Sequence, residues 1–408
     1  MLVTQVFRWL LSIAEIVVAF PVVYLCVLCV SALVEGKRRR SAQGRNAASG
    51  ASGNVQFALL VPAHNEEEVL EVLLESLVAL DYPKERFTIS VIADNCTDKT
   101  AELARATAGV QVLERTDPLK RGKGYALNWA FEQLEAAHVS YDACVIVDAD
   151  SVVEPTFLRA MEREVAGGAL ALQACYGVLN SSDSPSAALR WIALALVNHV
   201  RPLGRNGLGC SSTLTGNGIC LRREVVQRYP WRSFALAEDY HYYLTLLQQG
   251  VLVRYVPDAV VRAQMPTTFA QMKTQDIRWE SSAGGQPLWE IVRGLGSAGL
   301  KYRDLARLEG IAELLTPPLS LLVGWCLLTL IGSLCLWWLP GALVSLALIA
   351  GLLVYIGAPL VLLKPPRAIY RALAFAPVFL VWKLWVYFVL RKRKKYSTEW
   401  VRTSRSTS

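Results

Sequence analysis

The sequence predicts an α/β domain with a largely parallel sheet, flanked by membrane-spanning helices. Three observations support this fold class. Between residues 55 and 150, short apolar runs alternate with segments of helical periodicity, which is the pattern of strands connected by helices. Residues 314–363 carry no charged side chain. A further apolar run at residues 9–34 is interrupted only by Glu15 and Pro21.

The composition argues against two classes of protein. The 408 residues are 53% hydrophobic and carry a net charge of +8. The basic residues cluster beside the apolar runs, where membrane lipids account for them, so the charge does not indicate a nucleic-acid partner. No CxxC pair lies near a histidine, so the spacing of the nine cysteines does not indicate a zinc site. The soluble part is expected in the cytoplasm, where thiols stay reduced.

Residues 1–36 are predicted to form an N-terminal transmembrane anchor. The apolar run exceeds the roughly 20 residues that a spanning helix needs, and KRRR (37–40) follows it directly. A cleaved signal peptide would have a shorter apolar core with basic residues before it. Basic residues after the run predict that this end of the anchor faces the cytoplasm. Residues 37–54, which are rich in basic and small side chains, are predicted to form a basic flexible linker.

The uncharged stretch 314–363 is predicted to be a transmembrane hairpin. It is long enough for two passes, and WWLPGA (337–342) supplies interfacial tryptophans and turn formers in its middle. Interfacial or connecting helices are expected before it, at 286–313. Residues 364–408 are predicted to form an interfacial helix or a third C-terminal membrane helix, with a basic tail. An arginine and a lysine within its apolar part favour the interfacial alternative, because charge near the bilayer centre is costly.

The soluble domain is predicted over residues 55–285. In a parallel sheet, ligands bind beyond the carboxyl ends of the strands, and three of the predicted strands end in polar side chains that are expected to meet there. The predicted strands are 55–63, 87–94, 110–114 and 143–150, with helices at 66–80, 97–108 and 124–137. The polar residues are His64, Asn65 and Glu66 after the first strand, Asp94 and Asn95 after the second, and Asp148 and Asp150 after the fourth.

The motif DAD (148–150) ends a predicted buried strand. Two carboxylates two residues apart point the same way from an extended chain. Together they suit Mg²⁺ or Mn²⁺, which keep open positions for substrate phosphates. A turn at the end of a strand has the same composition, so the motif alone leaves both interpretations open. Asp94 likewise suits either contact with a base or ribose, or an Asx turn.

Three further segments carry groups that suit a diphosphate or a sugar. KRGKGYALN (120–128) places basic residues and glycines before a predicted helix, where cations and free amides can hold a diphosphate. LTGNGICLRRE (214–224) has glycines that permit close approach of a sugar. QDIRW (275–279) puts its arginine and tryptophan on one face of a predicted helix, for a diphosphate and a sugar ring. The alternatives are a solvated loop, a turn before a strand and an amphipathic helix at the membrane surface.

AEDYHYYL (237–244) places Glu238 and Asp239 side by side before an aromatic cluster. Acids at the start of a helix are favoured by the helix dipole, so a solvated helix start explains this pair as well as a catalytic role does. The choice between the two depends on the order of the other motifs along the chain.

Taken in order, VPAHNEE, ADNCTD, DAD, AED and QDIRW resemble the motifs of membrane-integrated family 2 glycosyltransferases, over roughly residues 55–285. The group includes cellulose, hyaluronan, chitin and poly-N-acetylglucosamine synthases and, more distantly, ceramide glucosyltransferases. The resemblance implies a Rossmann-like GT-A catalytic domain that inverts the anomeric centre and uses Mg²⁺ or Mn²⁺. Cys96 stands where a serine is often found, and Ala237 replaces the threonine common in synthases; neither change removes a charged group.

The resemblance also implies roles for individual residues. Asp239 matches the general base, and Glu238 beside it an orienting group. Asp148 and Asp150 match the DxD motif, which holds the metal. The implied substrate-binding residues are Asp94 toward the nucleotide base, Lys123 toward a donor phosphate, Asp148 toward the donor, and Gln275, Arg278 and Trp279 toward the diphosphate and the acceptor sugar.

The implied reaction is hexosyl or N-acetylhexosaminyl transfer from a nucleotide sugar, expected to be a UDP-sugar, at the cytoplasmic face of the plasma membrane. The acceptor is a saccharide, in polysaccharide synthesis, or alternatively a lipid that receives a single sugar. Two to four passes are too few for one subunit to enclose a polymer channel, which leaves a homo-oligomer open. A nucleotidyltransferase would carry a glycine-rich basic loop where PAHNEEE stands. A non-catalytic scaffold would show no metal-dependent binding of a nucleoside diphosphate.

Overall fold

The structure is a computed structural model that describes residues 2–43, 53–234, 237–265 and 287–385, together with Phe388. The predicted site residues Gln275, Arg278 and Trp279 lie outside the described residues. Half of the predicted basic flexible linker, residues 44–52, and the basic tail lie outside them as well.

One sheet organises the described part of the soluble domain. Its strands are β1 (Phe57–Ala63), β2 (Phe87–Asp94), β3 (Val110–Arg115), β4 (Ala143–Ile146), β5 (Ser151–Val153), β6 (Ala171–Val178), β7 (Ile219–Arg222) and β8 (Val253–Ala263). Their order is β3-β2-β1-β4-β7-β6-β8-β5. β7 runs antiparallel between β4 and β6, and β5 is antiparallel to β8 at the edge. The remaining neighbours are parallel, which confirms the largely parallel sheet.

Helices cover both faces of this sheet. The helices of the described chain up to residue 248 are α1 (Leu2–Gln43), α2 (Leu70–Val78), α3 (Thr100–Ala106), α4 (Lys123–Ala136), α5 (Phe157–Ala166), α6 (Pro185–Ala195), α7 (Arg201–Gly207), α8 (Arg223–Arg228) and α9 (Glu238–Gln248). Side chains of β1 alternate between two cores. Leu59 and Val61 pack with α2 and α5, whereas Ala58 and Leu60 pack with α4 and α9. Burial on both faces explains why these strands read as continuous apolar runs.

The fourth strand is shorter than predicted. β4 ends at Ile146, so the prediction that DAD belongs to this strand is wrong. The backbone N–H of Asp148 donates to the side chain of Asn217 at 3.2 Å instead of to a neighbouring strand, which ends the ladder. Asp148 and Asp150 therefore lie in the turn between β4 and β5, still at the carboxyl end of β4.

The N-terminal helix is longer than predicted. α1 continues to Gln43, beyond residue 36, where a flexible linker was predicted to begin. Arg39 pairs with Glu35 one helical turn earlier at 2.9 Å, and such pairs stabilise a helix in which every basic side chain is also a good helix former. The basic cluster is therefore presented on a rigid helix.

The C-terminal part is helical. Its helices are Leu288–Tyr302, Leu305–Leu314, Leu319–Cys335, Leu339–Leu363 and Arg367–Trp385, the last with a 3₁₀ turn within it. Pro317 and Pro318 separate the second from the third, and the axes of those two helices differ by 67°. Among the described residues, three helices have the length and composition to cross a membrane, or four if the bent pair counts as one span. Arg367–Trp385 is one of the three, so it suits a span as well as an interfacial position.

Candidate active site

The loops after β1 and β2 are tied together at the carboxyl edge of the sheet. His64 Nδ1 lies 2.6 Å from the carbonyl oxygen of Asp94, and the side chain of Asn65 accepts a hydrogen bond from the N–H of Thr97 at 2.7 Å. Asn65 and Asn95 have φ angles of 57° and 50°, a conformation that asparagine tolerates. These bonds hold Asp94 at the edge where ligands bind in parallel sheets.

Asp94 is buried against Arg115, the last residue of β3. The register of β2 and β3 places the two residues opposite each other, and Arg115 Nη1 donates to Asp94 Oδ1 at 2.5 Å. Arg115 also donates to Asp117 at 3.1 Å. Arg115 is not recognisable as a site residue from its sequence context, because its partner is apparent only once the register of the strands is known. The pair presents a fixed set of donors and acceptors at the rim of the crevice.

Lys123, the first residue of α4, joins two other segments at the centre of the crevice. Its ammonium donates to the carboxylate of Asp148 and to the carbonyl oxygen of Gly216. Asn217, which is fully buried, receives the N–H of Asp148 and donates to Ser151 at 2.8 Å. The glycine-containing segment 214–224 is therefore held against the DAD turn. This contact between the two segments was not predicted from the sequence.

The adjacent acids Glu238 and Asp239 form the first turn of α9 and face the same point. A Cβ atom added to Gly216 would lie 3.0 Å from Asp239 Oδ2 and 3.8 Å from Lys123 Nζ. Asp239, Lys123 and the carboxylate of Asp148 are thus grouped around a glycine that leaves room between them. The solvated helix start does not fit this arrangement, because Glu238 is only 9% exposed.

The surroundings of the acid pair shift its protonation. Burial raises the pKa of Glu238 to about 8, with a further contribution from the charge of Asp239. Burial also raises the pKa of Asp239, and the ammonium of Lys123 partly offsets this rise. For Lys123, burial lowers the pKa, but Asp148 and the acid pair outweigh it and raise the pKa overall. Two acids with raised pKa values beside one cation are typical of acid–base sites.

The helix Leu305–Leu314 holds α9 at two places. At the C-terminal end of α9, the carbonyl oxygens of Leu247 and Gln248 accept hydrogen bonds from Arg307 at 3.2 and 3.1 Å. One turn after Asp239, Tyr243 accepts a hydrogen bond from Arg205 at 2.8 Å. The guanidinium of Arg205 also makes two hydrogen bonds to Glu309, at 3.1 and 2.8 Å.

The same network reaches two helices that are long and apolar enough to cross a membrane, α1 and Leu339–Leu363. Glu309 accepts a hydrogen bond from Tyr24 of α1, and Arg201 bonds both Glu313 at 3.1 Å and Tyr355 at 2.8 Å. The position of α9, and with it Asp239, therefore depends on contacts with these apolar helices.

A family profile described as "Glycosyltransferase like family 2" matches residues 54–282, which is more than half of the chain. The chain belongs to this family. The match covers the sheet, the DAD turn, the acid pair and all of the crevice residues described above.

Two curated relatives of this family 2 glycosyltransferase differ in their named products. It is 30% identical over 196 residues to "Beta-monoglucosyldiacylglycerol synthase" of Nostoc sp., covering 46% of this chain and 40% of that protein. It is 25% identical over 234 residues to "Poly-beta-1,6-N-acetyl-D-glucosamine synthase" of Staphylococcus aureus, covering 55% of this chain and 53% of that protein. The chain therefore spans about half the length of these relatives.

A solved structure resembles the glycosyltransferase over most of its length. The mannosyltransferase PcManGT from Pyrobaculum calidifontis, solved in complex with GDP-Man and Mn²⁺, aligns with a TM-score of 0.50 at 18% identity. The alignment covers 92% of this chain and 100% of that one. The likeness confirms the predicted GT-A fold.

The donor atoms of the glycosyltransferase site fit a hard divalent cation. Asp148 and Asp150 are both half-buried at the mouth of the crevice, and carboxylate oxygens are the ligands that Mg²⁺ and Mn²⁺ prefer. Among the described residues, no group of three or more His, Cys, Asp and Glu side chains is placed to hold a metal. A cation held by these two carboxylates would complete its coordination with oxygens from substrate phosphates or from water.

We expect Gly216→Ala to lower kcat strongly. The added Cβ would press on the carboxylate of Asp239, and the φ angle of 78° at this position strains any L side chain. Gly109→Ala is the matched control, since Gly109 has a φ of 82° and open space around an added Cβ. Steady-state kinetics and melting temperatures of both variants check this. Equal losses of kcat in the two would mean that backbone strain alone is responsible.

We expect Glu238→Gln to reduce the pH dependence of stability. At pH below 4.5, the carboxyl of Glu238 is protonated in both the folded and the unfolded state. Between 4.5 and about 8 the unfolded state ionises it and the folded state does not, so the free energy of unfolding falls as the pH rises through this window. The difference between wild type and variant, measured by chemical denaturation from pH 5 to 8, should change by up to about 1.4 kcal/mol per pH unit. Parallel curves would contradict the raised pKa.

Proposed function

We propose that the protein transfers a sugar from a nucleotide sugar to an acceptor hydroxyl at the membrane, with inversion at the anomeric carbon. The observation that carries this proposal is the grouping of Asp239, Lys123 and Asp148 around Gly216, at the carboxyl edge of a GT-A sheet. Two carboxylates and an ammonium group that lie around a glycine support this proposal, because the glycine leaves room for a substrate between them.

Asp239 acts as the general base in this proposal. Its ionised carboxylate takes the proton of the acceptor hydroxyl as that oxygen forms a bond to the anomeric carbon. The bond from this carbon to the diphosphate breaks, and the nucleoside diphosphate leaves with the electron pair. A carboxylate whose pKa is raised by burial is a stronger base than an exposed one. A single displacement turns an α-linked donor into a β-linked product, without a covalent intermediate.

Glu238 and Lys123 support this step. With a pKa of about 8, Glu238 is largely protonated at neutral pH and can donate a hydrogen bond instead of competing for the proton. Lys123 favours the ionised form of Asp239 and can also pair with a donor phosphate. Asp148 and Asp150 would hold Mg²⁺ or Mn²⁺, which when bound neutralises charge on the leaving diphosphate.

The Asp94–Arg115 pair is the proposed contact for the nucleotide base. It is formed by the last residues of β2 and β3, at the same carboxyl edge of the sheet as the acids, and its side chains are fixed by hydrogen bonds. We infer a UDP-sugar as donor. The side chains of Gln275, Arg278 and Trp279 remain proposed contacts for the diphosphate and the acceptor sugar.

The proposed acceptor is a growing β-linked polysaccharide, made at the cytoplasmic face of the plasma membrane. The poly-N-acetylglucosamine synthase relative supports this product. Transfer of one sugar to a lipid is the second candidate, supported by the glucosyldiacylglycerol synthase relative. The three or four candidate spans of the described residues favour a homo-oligomer if a polymer is secreted.

Turnover of donors by the purified full chain tests the proposal. UDP-glucose, UDP-N-acetylglucosamine and GDP-mannose would each be supplied with Mg²⁺ or Mn²⁺, and the release of nucleoside diphosphate and the mass of the product would be followed. A high-mass product that β-specific glycosidases cleave supports polysaccharide synthesis. A solvent-extractable product with one sugar supports the lipid acceptor. Failure of every donor to bind or turn over would overturn the proposal.

A further inference from the structure

An apolar groove runs along the membrane part of α1. It has a volume of about 720 Å³ and lies between α1 and the helix Leu339–Leu363. Val22, Val27 and Val34 line it on one side, and Ala347, Leu348 and Gly351 on the other. All of these positions belong to helices that can cross a membrane, and the groove has the apolar lining that an acyl chain requires.

A polar cavity adjoins the end of this groove. It has a volume of about 560 Å³, and Glu35 and Arg38 line both the groove and the cavity. Arg39 and Arg254 line the cavity as well, together with Glu164. The two spaces therefore meet at the point where α1 changes from apolar to basic.

The cavity carries more positive than negative charge. Glu164 lies 3.0 Å from Arg254 and 3.9 Å from Arg39, and Glu35 lies 2.9 Å from Arg39. The side chain of Arg38 is 82% exposed and 3.8 Å from the nearest carboxylate oxygen. Three guanidinium groups thus face two carboxylates, which leaves one positive charge for an anionic ligand.

This cavity lies at the amino ends of the strands, whereas the acid pair lies at their carboxyl ends. Val253, which lines the cavity, begins β8 and pairs with Ala171 at the start of β6. Those strands run in the same direction as β4, whose carboxyl end leads to Asp148. The cavity is therefore at the amino ends of the strands, away from Asp239, and is not the place where an acceptor would react.

We propose that the groove and the cavity together bind one anionic phospholipid. One acyl chain lies in the groove between α1 and Leu339–Leu363, and the phosphate lies in the cavity near Arg38, Arg39 and Arg254. A soluble anion would leave the apolar groove unfilled. A zwitterionic lipid would place the ammonium group of its headgroup beside the three guanidinium groups, which repel it. A lipid with a net negative headgroup matches both the apolar and the basic part.

Native mass spectrometry of the full chain tests this site. The purified protein would be incubated with equal amounts of palmitoyl-oleoyl phosphatidylglycerol and phosphatidylcholine, and the bound lipids counted. We expect one phosphatidylglycerol to be retained in preference. Arg38→Gln/Arg39→Gln should weaken its binding about tenfold or more. The matched control is Lys37→Gln/Arg40→Gln, which removes the same charge from the same helix end without touching the cavity.

A second pair of variants tests the apolar half. Ala347→Trp would fill the groove, whereas Ala350→Trp places the same side chain on the same helix outside it. We expect only Ala347→Trp to reduce retention of the lipid.

Two kinds of result would overturn the proposed site. Equal losses of lipid binding in Arg38→Gln/Arg39→Gln and in Lys37→Gln/Arg40→Gln would mean diffuse attraction to the basic helix end. Unchanged binding in Ala347→Trp, or protection from thermal unfolding by inorganic phosphate as strong as that by phosphatidylglycerol, would overturn it too.

Discussion

Asp239→Asn is expected to lower kcat by about 10²- to 10⁴-fold, the usual range for loss of a general base. The amide has the shape of the carboxylate but cannot take the proton of the acceptor hydroxyl. Binding of UDP should persist, because its proposed contacts lie at Asp94, Arg115 and the DAD turn. Release of nucleoside diphosphate under saturating donor measures the first effect, and calorimetric titration with UDP and Mg²⁺ or Mn²⁺ measures the second.

Glu238→Gln is the matched control for this experiment. It makes the same chemical change at the adjacent residue, where the carboxyl is already largely protonated at neutral pH. Its loss of kcat should therefore be much smaller. A variant pair with the opposite ranking would assign the base to Glu238. Nearly full activity in Asp239→Asn would contradict both the assignment of Asp239 as the general base and the proposed mechanism.

Arg205→Ala is expected to destabilise the protein by about 3–5 kcal/mol, because it leaves a buried carboxylate without its cation. The side chains of Arg205 and Glu309 are 1% and 7% exposed. The pair joins α9 to the helix Leu305–Leu314 through Tyr243, so the variant should also lose catalytic activity at temperatures where it remains folded. Thermal unfolding in detergent and kcat at low temperature measure the two effects.

The double variant Arg205→Met/Glu309→Gln separates charge from packing. It removes both charges while keeping similar volumes, and replacement of a whole buried ion pair is often close to neutral. We expect it to recover most of the lost stability. A double variant as unstable as Arg205→Ala would mean that the shape and hydrogen bonds of the arginine matter more than the balance of charge.

Much of the catalytic fold was predictable from local pattern. Alternating apolar runs and helical periodicity identified β1, β2 and β3 within two residues of their observed ends. β1 and β2 are buried on both faces and are therefore almost continuously apolar. The change from apolar to polar residues at the ends of these two strands is visible in the sequence for the same reason. The family resemblance then supplied the roles of Asp94, Asp148, Asp150 and Asp239.

The length of β4 and of α1 did not follow from local pattern. β4 stops early because Asn217, distant in sequence, takes the N–H of Asp148. α1 extends past the apolar run because ion pairs within the basic segment continue the helix. In β4 a hydrogen bond from a distant residue outweighed the propensity of the segment, whereas in α1 the ion pairs added to a helix propensity that the basic residues already have.

Sequence alone therefore predicted the fold class, the helices long and apolar enough to cross a membrane, and the acids proposed for the site, since each depends on the residue types within a short window. It did not establish that Arg115 pairs with Asp94, that Gly216 separates Lys123 from Asp239, or that Arg205 and Arg307 hold α9 in place. Those relations depend on strand register and on contacts between segments far apart in the chain. The raised pKa values of Glu238 and Asp239 could not be predicted from the sequence either, because burial, which raises both, is a property of the packed protein.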